Sequence, residues 1–191
     1  MRYVVFDLET QNTFQDAGSN NPADLDISVG SAYDSATDSY TTVVVDELHK
    51  LWPILEQADV LVGYNSNHFD IPLLNKYYPG DLTTIKSIDL MASIQESFGR
   101  RLRLDDVAQA TLGSKKSGNG LMAIKWWREG DIESIKKYCK QDVKVTKELF
   151  EYMRDNKKAF VKDAGKKREI PINTDSWEPH KEHSMTFSLP F

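Results

Sequence analysis

A short apolar run of β-branched and aromatic residues opens the chain, MRYVVFDLET over Met1–Thr10, and predicts a buried strand. Side chains on a strand alternate between faces, so Val4, Phe6 and Leu8 share one face and Val5, Asp7 and Glu9 the other. Gln11 to Leu25 is polar and rich in Asn, Asp and Gly, which predicts a loop. Strands follow at Ile27–Tyr33 and Tyr40–Val45, divided by the turn-like DSATDS and meandering with the first strand. Leu48, Leu51, Trp52 and Leu55 recur at helical spacing over Glu47–Ala58; Asp46 is placed to cap that helix, and Pro53 to kink it or mark a late start. Val60–Val62 and Ile85–Ile88 are further short strands. Phe69–Tyr78 predicts a helix with Pro72 in its first turn. Asp89 caps a helix through Phe98 that Gly99 closes. Leu102, Leu104, Val107, Ala108 and Leu112 form the next helical face, with Asp105 or Asp106 near its start, and the loop GSKKSGNG follows. A last long helix starts at Gly130 or Asp131 and runs to about Arg154, with Ile135, Tyr138, Val145, Leu149 and Tyr152 on one stripe.

Composition narrows the class without choosing within it. The 191 residues suffice for one well-filled core, and 40% hydrophobic with 28% charged residues is ordinary for a globular domain. We expect one domain over 1–177 and a flexible tail over 178–191. A net charge of −5 argues against a non-specific polyanion binder, although a carboxylate site that recruits cations can reverse its own local field. The single cysteine, Cys139, excludes an internal disulfide. No apolar run reaches membrane-spanning length and the start lacks a secretory pattern, so the expected location is the cytoplasm, with no membrane partner.

Three stretches carry candidate chemistry. Asp7 and Glu9 stand about 6–7 Å apart along one strand face, where like charges repel unless a cation sits between them. Divalent Mg²⁺ or Mn²⁺ suits such oxygen ligands; plain solvation of the pair is the alternative. Asp70, five residues after Asn65 and just after Phe69, sits at a helix start, either as a cap or as a partner carboxylate. Asp142 follows Tyr138 by four residues, so the two side chains are neighbours on one helix face. A carboxylate on an apolar stripe needs a cation; at the stripe's edge, Lys137 or Lys140 would serve. GSKKSGNG fails the phosphate-loop fingerprint, since Asn119 follows Gly118, leaving Lys115 and Lys116 as backbone contacts or as solvated lysines.

In order and local spacing, FDLET, NSNHFD (Asn65 through Asp70) and YCKQD (Tyr138 through Asp142) resemble the three motifs of the 3′–5′ exonucleases of the ribonuclease H-like superfamily. The likeness is to the proofreading branch with tyrosine in its third motif; the sibling branch carries histidine where this chain has Lys137. The resemblance spans about Met1 to Arg154. YNSNHFDIPLL and RLDDVAQATLG are also similar to the exonuclease domains of family B DNA polymerases, and with no polymerase domain following, a stand-alone nuclease is expected.

The resemblance implies an α/β fold, a ribonuclease H-like mixed sheet flanked by helices, and a two-metal mechanism with Mg²⁺ or Mn²⁺. Two cations roughly 4 Å apart can activate a water and steady a leaving oxygen. On that pattern Asp7 bridges both ions, Glu9 and Asp142 complete the site nearest the nucleophilic water, Asp70 holds the second ion partly through water, and Tyr138 positions the water. Phe69 would pack under the terminal base or simply join the core, Asn65 would fix the Asp70 loop, and the backbone at Thr10 and Gln11 would lie near the scissile nucleotide.

The C-terminal part carries less. Lys157–Arg168 is basic and reads either as an arm on a nucleic-acid backbone or as a solvated helix end, and Glu169–Trp177 as an added strand. His180 and His183 are too isolated for a metal site. The tail ends TFSLPF, and Phe187, Leu189 and Phe191 resemble the peptides with which replication proteins dock on the sliding clamp, with Thr186 where glutamine is usual; folding back on its own domain is the alternative. Three readings compete: an exonuclease on DNA 3′ ends, single strands preferred, the same chemistry on RNA, and a non-catalytic nucleic-acid or clamp-binding adaptor.

Overall fold

The computed structural model describes residues 1–114 and 120–177. The chain enters as β1 (Tyr3–Thr10), and a four-residue helix α1 (Phe14–Ala17) follows, capped by Thr13. Strand β2 (Ile27–Asp34) runs antiparallel beside β1, and β3 (Ser39–Val44) antiparallel beside β2. Helix α2 (Trp52–Glu56) leads to β4 (Val60–Gly63), which pairs parallel with β1. Helix α3 (Asp70–Asn75) then leads to β5 (Ser87–Asp89), parallel to β4. The five-stranded sheet has the order β3-β2-β1-β4-β5, so β1 is its central strand. Helices α4 (Leu90–Phe98), α5 (Leu104–Leu112), α6 (Leu121–Glu129) and α7 (Ile132–Asn156) follow, and then a hairpin of β6 (Lys158–Asp163) and β7 (Lys166–Pro171). This is the mixed sheet flanked by helices that the sequence predicts. No helix among the described residues is long and apolar enough to cross a membrane.

The period of two in β1 sorts its side chains between two cores. Val4, Phe6 and Leu8 pack with Leu51, Leu55, Leu73 and Leu74 on the face covered by α2 and α3. Tyr3 and Val5 pack with Val143, Leu149, Phe150 and Met153 of α7 on the other. Asp7 and Glu9 therefore continue the α7 face toward the carboxyl end of the strand, where open α/β sheets bind their ligands.

Several expectations need correction. The predicted loop from Gln11 to Leu25 holds α1 and a 3-10 turn at Pro22–Asp24, each built by a local cap, Thr13 and Asn21. The helix predicted over Glu47–Ala58 divides: a 3-10 stretch at Val45–Lys50 precedes α2, no side chain caps it, and Pro53 sits in the first turn of α2 as a late start. The helix predicted over Phe69–Tyr78 closes at Asn75. The buried residues of α7 are Ile135, Cys139, Val143, Val145, Thr146, Leu149, Phe150 and Met153, so Ile135, Val145 and Leu149 lie inward as expected, whereas Tyr138, Asp142 and Tyr152 are partly exposed. Helix α6 was not expected. Lys157–Arg168 is not a helix end but most of the β6–β7 hairpin, with Ala159, Val161 and Ile170 inward and a turn at Ala164 and Gly165, both with positive φ. Lys115, Lys116, His180, His183, Phe187, Leu189 and Phe191 lie outside the described residues, and so do the expectations placed on them.

Candidate active site

The end of β1 and the middle of α7 meet through Cys139. Its buried thiol donates to the main-chain carbonyl of Asp7 at 3.3 Å and to Asp7 Oδ2 at 3.6 Å. One ligand-capable atom from each of Asp7, Glu9 and Cys139 lies within 4.8 Å of the others. Burial pushes the Cys139 thiol well above its ordinary range, and the charges of Asp7, Glu9 and Asp142 push it further, so it acts as an S–H donor that fixes Asp7. A β-bulge between Glu9 and Thr10 ends the regular pairing with β2 beside these carboxylates.

Asp70 comes from the other face of the sheet. It is the first residue of α3 and is buried, and its Oδ1 accepts the main-chain N–H of Leu8 at 3.2 Å. It caps nothing: Phe69 holds the cap position, without a side-chain bond. The loop before it depends on tight packing, since a Cβ on Gly63 would lie 2.4 Å from Ser66 Cβ. It depends as well on Asn65 at φ 65°, a left-handed conformation that asparagine tolerates.

Asp89, which the sequence offered only as a helix cap, fastens that loop. Its carboxylate accepts Met91 N–H at 3.0 Å and Ala92 N–H at 3.3 Å of α4, and also Asn65 N–H at 2.8 Å and Asn67 N–H at 3.1 Å. Asn65 Oδ1 in turn accepts a hydrogen bond from Arg101. Replacing Asp89 with Ala removes the cap and leaves the loop amides unanswered, so we expect a loss of about 3 kcal/mol, read as a melting temperature lower by roughly 6–12 °C. A drop under about 2 °C would show that the loop stands without it.

Burial and like charge dominate the carboxyls of Asp7, Glu9 and Asp70. Burial first, then the charges of Glu9, Asp70 and Asp142, hold the Asp7 carboxyl well above the usual carboxylate range. Burial, then Asp142 and Asp70, do the same to Glu9. Burial lifts Asp70 to about 7, against the Leu8 hydrogen bond and with help from Asp89. No lysine or arginine of the described residues figures among the influences on these three. Lys140 lies over the Tyr40 ring, and Lys137 lines a cavity beside Tyr138. The Tyr138 phenol is also raised far above its ordinary value, by burial and then by Asp142, Glu9 and Asp7. A buried set of oxygen donors that repel one another fits a divalent cation.

The remaining expected positions are spread around this cluster. Thr10 is buried and its hydroxyl donates to Asn12 O at 3.0 Å, while the Gln11 amide donates to Ile27 O at 2.7 Å. Phe69 packs edge-on against Phe14, ring centroids 6.0 Å apart, on the α3 side of the core. Cys139, Asp89 and Arg101 were not singled out as site residues, and α6 brings one more neighbour, Trp126, edge-on to Tyr138 at 6.0 Å.

No curated protein matches the chain in sequence. In fold it is similar to a family B DNA polymerase from the hyperthermophilic archaeon Pyrobaculum calidifontis, with a TM-score of 0.63 at 20% identity over 80% of this chain. The match covers 24% of the polymerase, so the chain spans about a quarter of its length. The family model of the RNase H superfamily matches residues 4–154, which hold all three motif stretches. The chain belongs to the RNase H superfamily.

Proposed function

We propose that the chain is a 3′–5′ exonuclease that hydrolyses phosphodiester bonds from the 3′ end of DNA, single strands preferred. The observation that carries this reading is that Asp7 and Glu9 at the end of the central strand lie together and feel the charges of Asp70 from α3 and Asp142 from α7, with Tyr138 feeling Asp142, Glu9 and Asp7. The 3′ direction rests on the resemblance of the three motifs; membership in the superfamily and the likeness to a polymerase support a nuclease. Asp7, Glu9, Asp70 and Asp142 would hold two divalent cations, Mg²⁺ or Mn²⁺, which supply Lewis-acid activation of the attacking water and of the leaving oxygen. Cys139 keeps Asp7 oriented, and the Leu8 amide keeps Asp70 oriented.

Tyr138 is a donor in this scheme. Its raised pKa keeps the phenol protonated at neutral pH, so it orients the attacking water rather than taking its proton. Tyr138→Phe should lower kcat about 10- to 100-fold and leave the shape of the pH–rate profile unchanged between pH 6 and 9. A limb of that profile vanishing with the hydroxyl would make Tyr138 a base instead.

The direct test is a time course on a 5′-labelled single-stranded DNA oligonucleotide with Mg²⁺, Mn²⁺ or EDTA. A ladder shortening from the 3′ end and lost in EDTA is the expected result. Shortening of an RNA oligonucleotide alone would move the substrate to RNA, and no cutting of either would leave the adaptor reading.

A further inference from the structure

Beside Tyr138, and outside the carboxylate cluster, lies a cavity of about 320 Å³ lined by Trp126, Ser134, Lys137, Tyr138 and Gln141. Its floor is one stripe of α7: Ser134, Lys137, Tyr138 and Gln141 stand at i, i+3, i+4 and i+7, and so share a face. Asp142 is the next residue along. The wall is Trp126 of α6, tilted 62° to the Tyr138 ring. Ala123 and Ile124 are the buried residues of α6, and Trp126 packs partly against the small cluster that holds Ala123. It is partly exposed and lines the cavity.

We propose that this groove is the subsite for the nucleotide adjoining the scissile phosphate, with its base stacked on Trp126. The proposal rests on the nuclease reading and extends it to the residues that grip the strand. The chemistry suits one nucleotide unit. An indole face stacks on any base; the Gln141 amide and Ser134 hydroxyl answer polar base edges; the exposed Lys137 ammonium answers a phosphate oxygen. The groove is lined by Tyr138, and Asp142 follows Tyr138 by one turn of the same helix, so a strand lying in the groove comes beside the carboxylates. Nothing in the set selects deoxyribose over ribose, and DNA and RNA share what it recognises.

The test is a coupling measurement between the base and the indole. Fluorescein-labelled single strands, with ordinary bases or with abasic residues at the last three 3′ positions, are titrated by anisotropy onto the full chain carrying Asp7→Asn, with and without Trp126→Ala, using DNA and RNA versions. We expect base removal to weaken binding about tenfold with Trp126 present and less than twofold with Trp126→Ala, for both sugars. Trp126→Phe keeps a ring and should retain most of the tenfold. Gln141→Ala, on an exposed position that cannot disturb the fold, should show a loss of about threefold that disappears with abasic strands. Losses that multiply independently, or a chain that holds no strand, would overturn the subsite. Cutting by the unsubstituted chain is scored separately. Coupling without cutting refutes the nuclease reading and leaves the groove as a base-stacking contact for single strands; cutting without coupling overturns the subsite and leaves the nuclease.

Discussion

Replacing Asp7 with Asn is expected to abolish hydrolysis and, in the same protein, to raise the melting temperature measured in EDTA. Asp7 is partly exposed, but its carboxyl is largely withdrawn from water and feels the charges of Glu9, Asp70 and Asp142. Asparagine keeps the shape and an oxygen that can accept the Cys139 thiol, so the site is not emptied. What it loses is the charge that holds a cation, and removing one member of a group that works as a unit costs at least about 10³-fold in kcat. What it also loses is repulsion. One fewer buried carboxylate should stabilise the metal-free chain by about 1–2 kcal/mol, or roughly 2–8 °C. An ordinary buried polar residue behaves oppositely, since its replacement lowers stability. Activity within tenfold of the unsubstituted chain, or a lower melting temperature in EDTA, would remove Asp7 from the site.

The same opposition of charge and burial explains what the sequence revealed and what it hid. A strand period of two cannot place Val5, Asp7 and Glu9 anywhere but on one face, so half of the candidate site followed from β1 alone. The α7 part was legible as Tyr138 and Asp142 one turn apart, but not their place on the stripe. The apolar count favoured Tyr138, whereas packing chose the smaller Cys139 and Val143 to lie against β1. Cys139 was weighed only for disulfides, and its contact with Asp7 is between residues 132 apart. Helix α6 escaped because no side chain caps it at Gly120 and its apolar residues do not mark its buried face: Leu121 and Met122 are exposed, while Ala123 and Ile124 are buried. The β6–β7 hairpin carried a period of two and a turn at Ala164 and Gly165, but its lysines drew the eye to charge first. Asp89 was read correctly as a cap; that the same carboxylate holds Asn65 and Asn67 depends on β4 and β5 being neighbours, which no local pattern states.

The largest solution effect should be a metal-induced stabilisation that grows with pH. Asp70 titrates near 7 in the folded metal-free chain and near 4 in the unfolded one, and Asp7 and Glu9 are raised in the same sense. Between those values the folded chain holds more protons than the unfolded chain, so its stability falls as pH rises from about 4 through about 7. For Asp70 alone the gap is about three units, which at 1.36 kcal/mol per unit sets a ceiling of about 4 kcal/mol. Mg²⁺ or Mn²⁺ binds the deprotonated carboxylates and opposes this loss, and a concentration one hundred times Kd adds about 2.7 kcal/mol. Melting in EDTA and in 10 mM Mg²⁺ should therefore nearly coincide at pH 5 and separate by roughly 5–10 °C at pH 8. The difference between the two curves cancels the carboxylates held low elsewhere, such as Asp34 beside Arg2. In Asp7→Asn the separation at pH 8 should shrink to under about 2 °C. A gap that is independent of pH would mean that the cation binds away from these carboxylates, and no gap at pH 8 would mean that the cluster holds none.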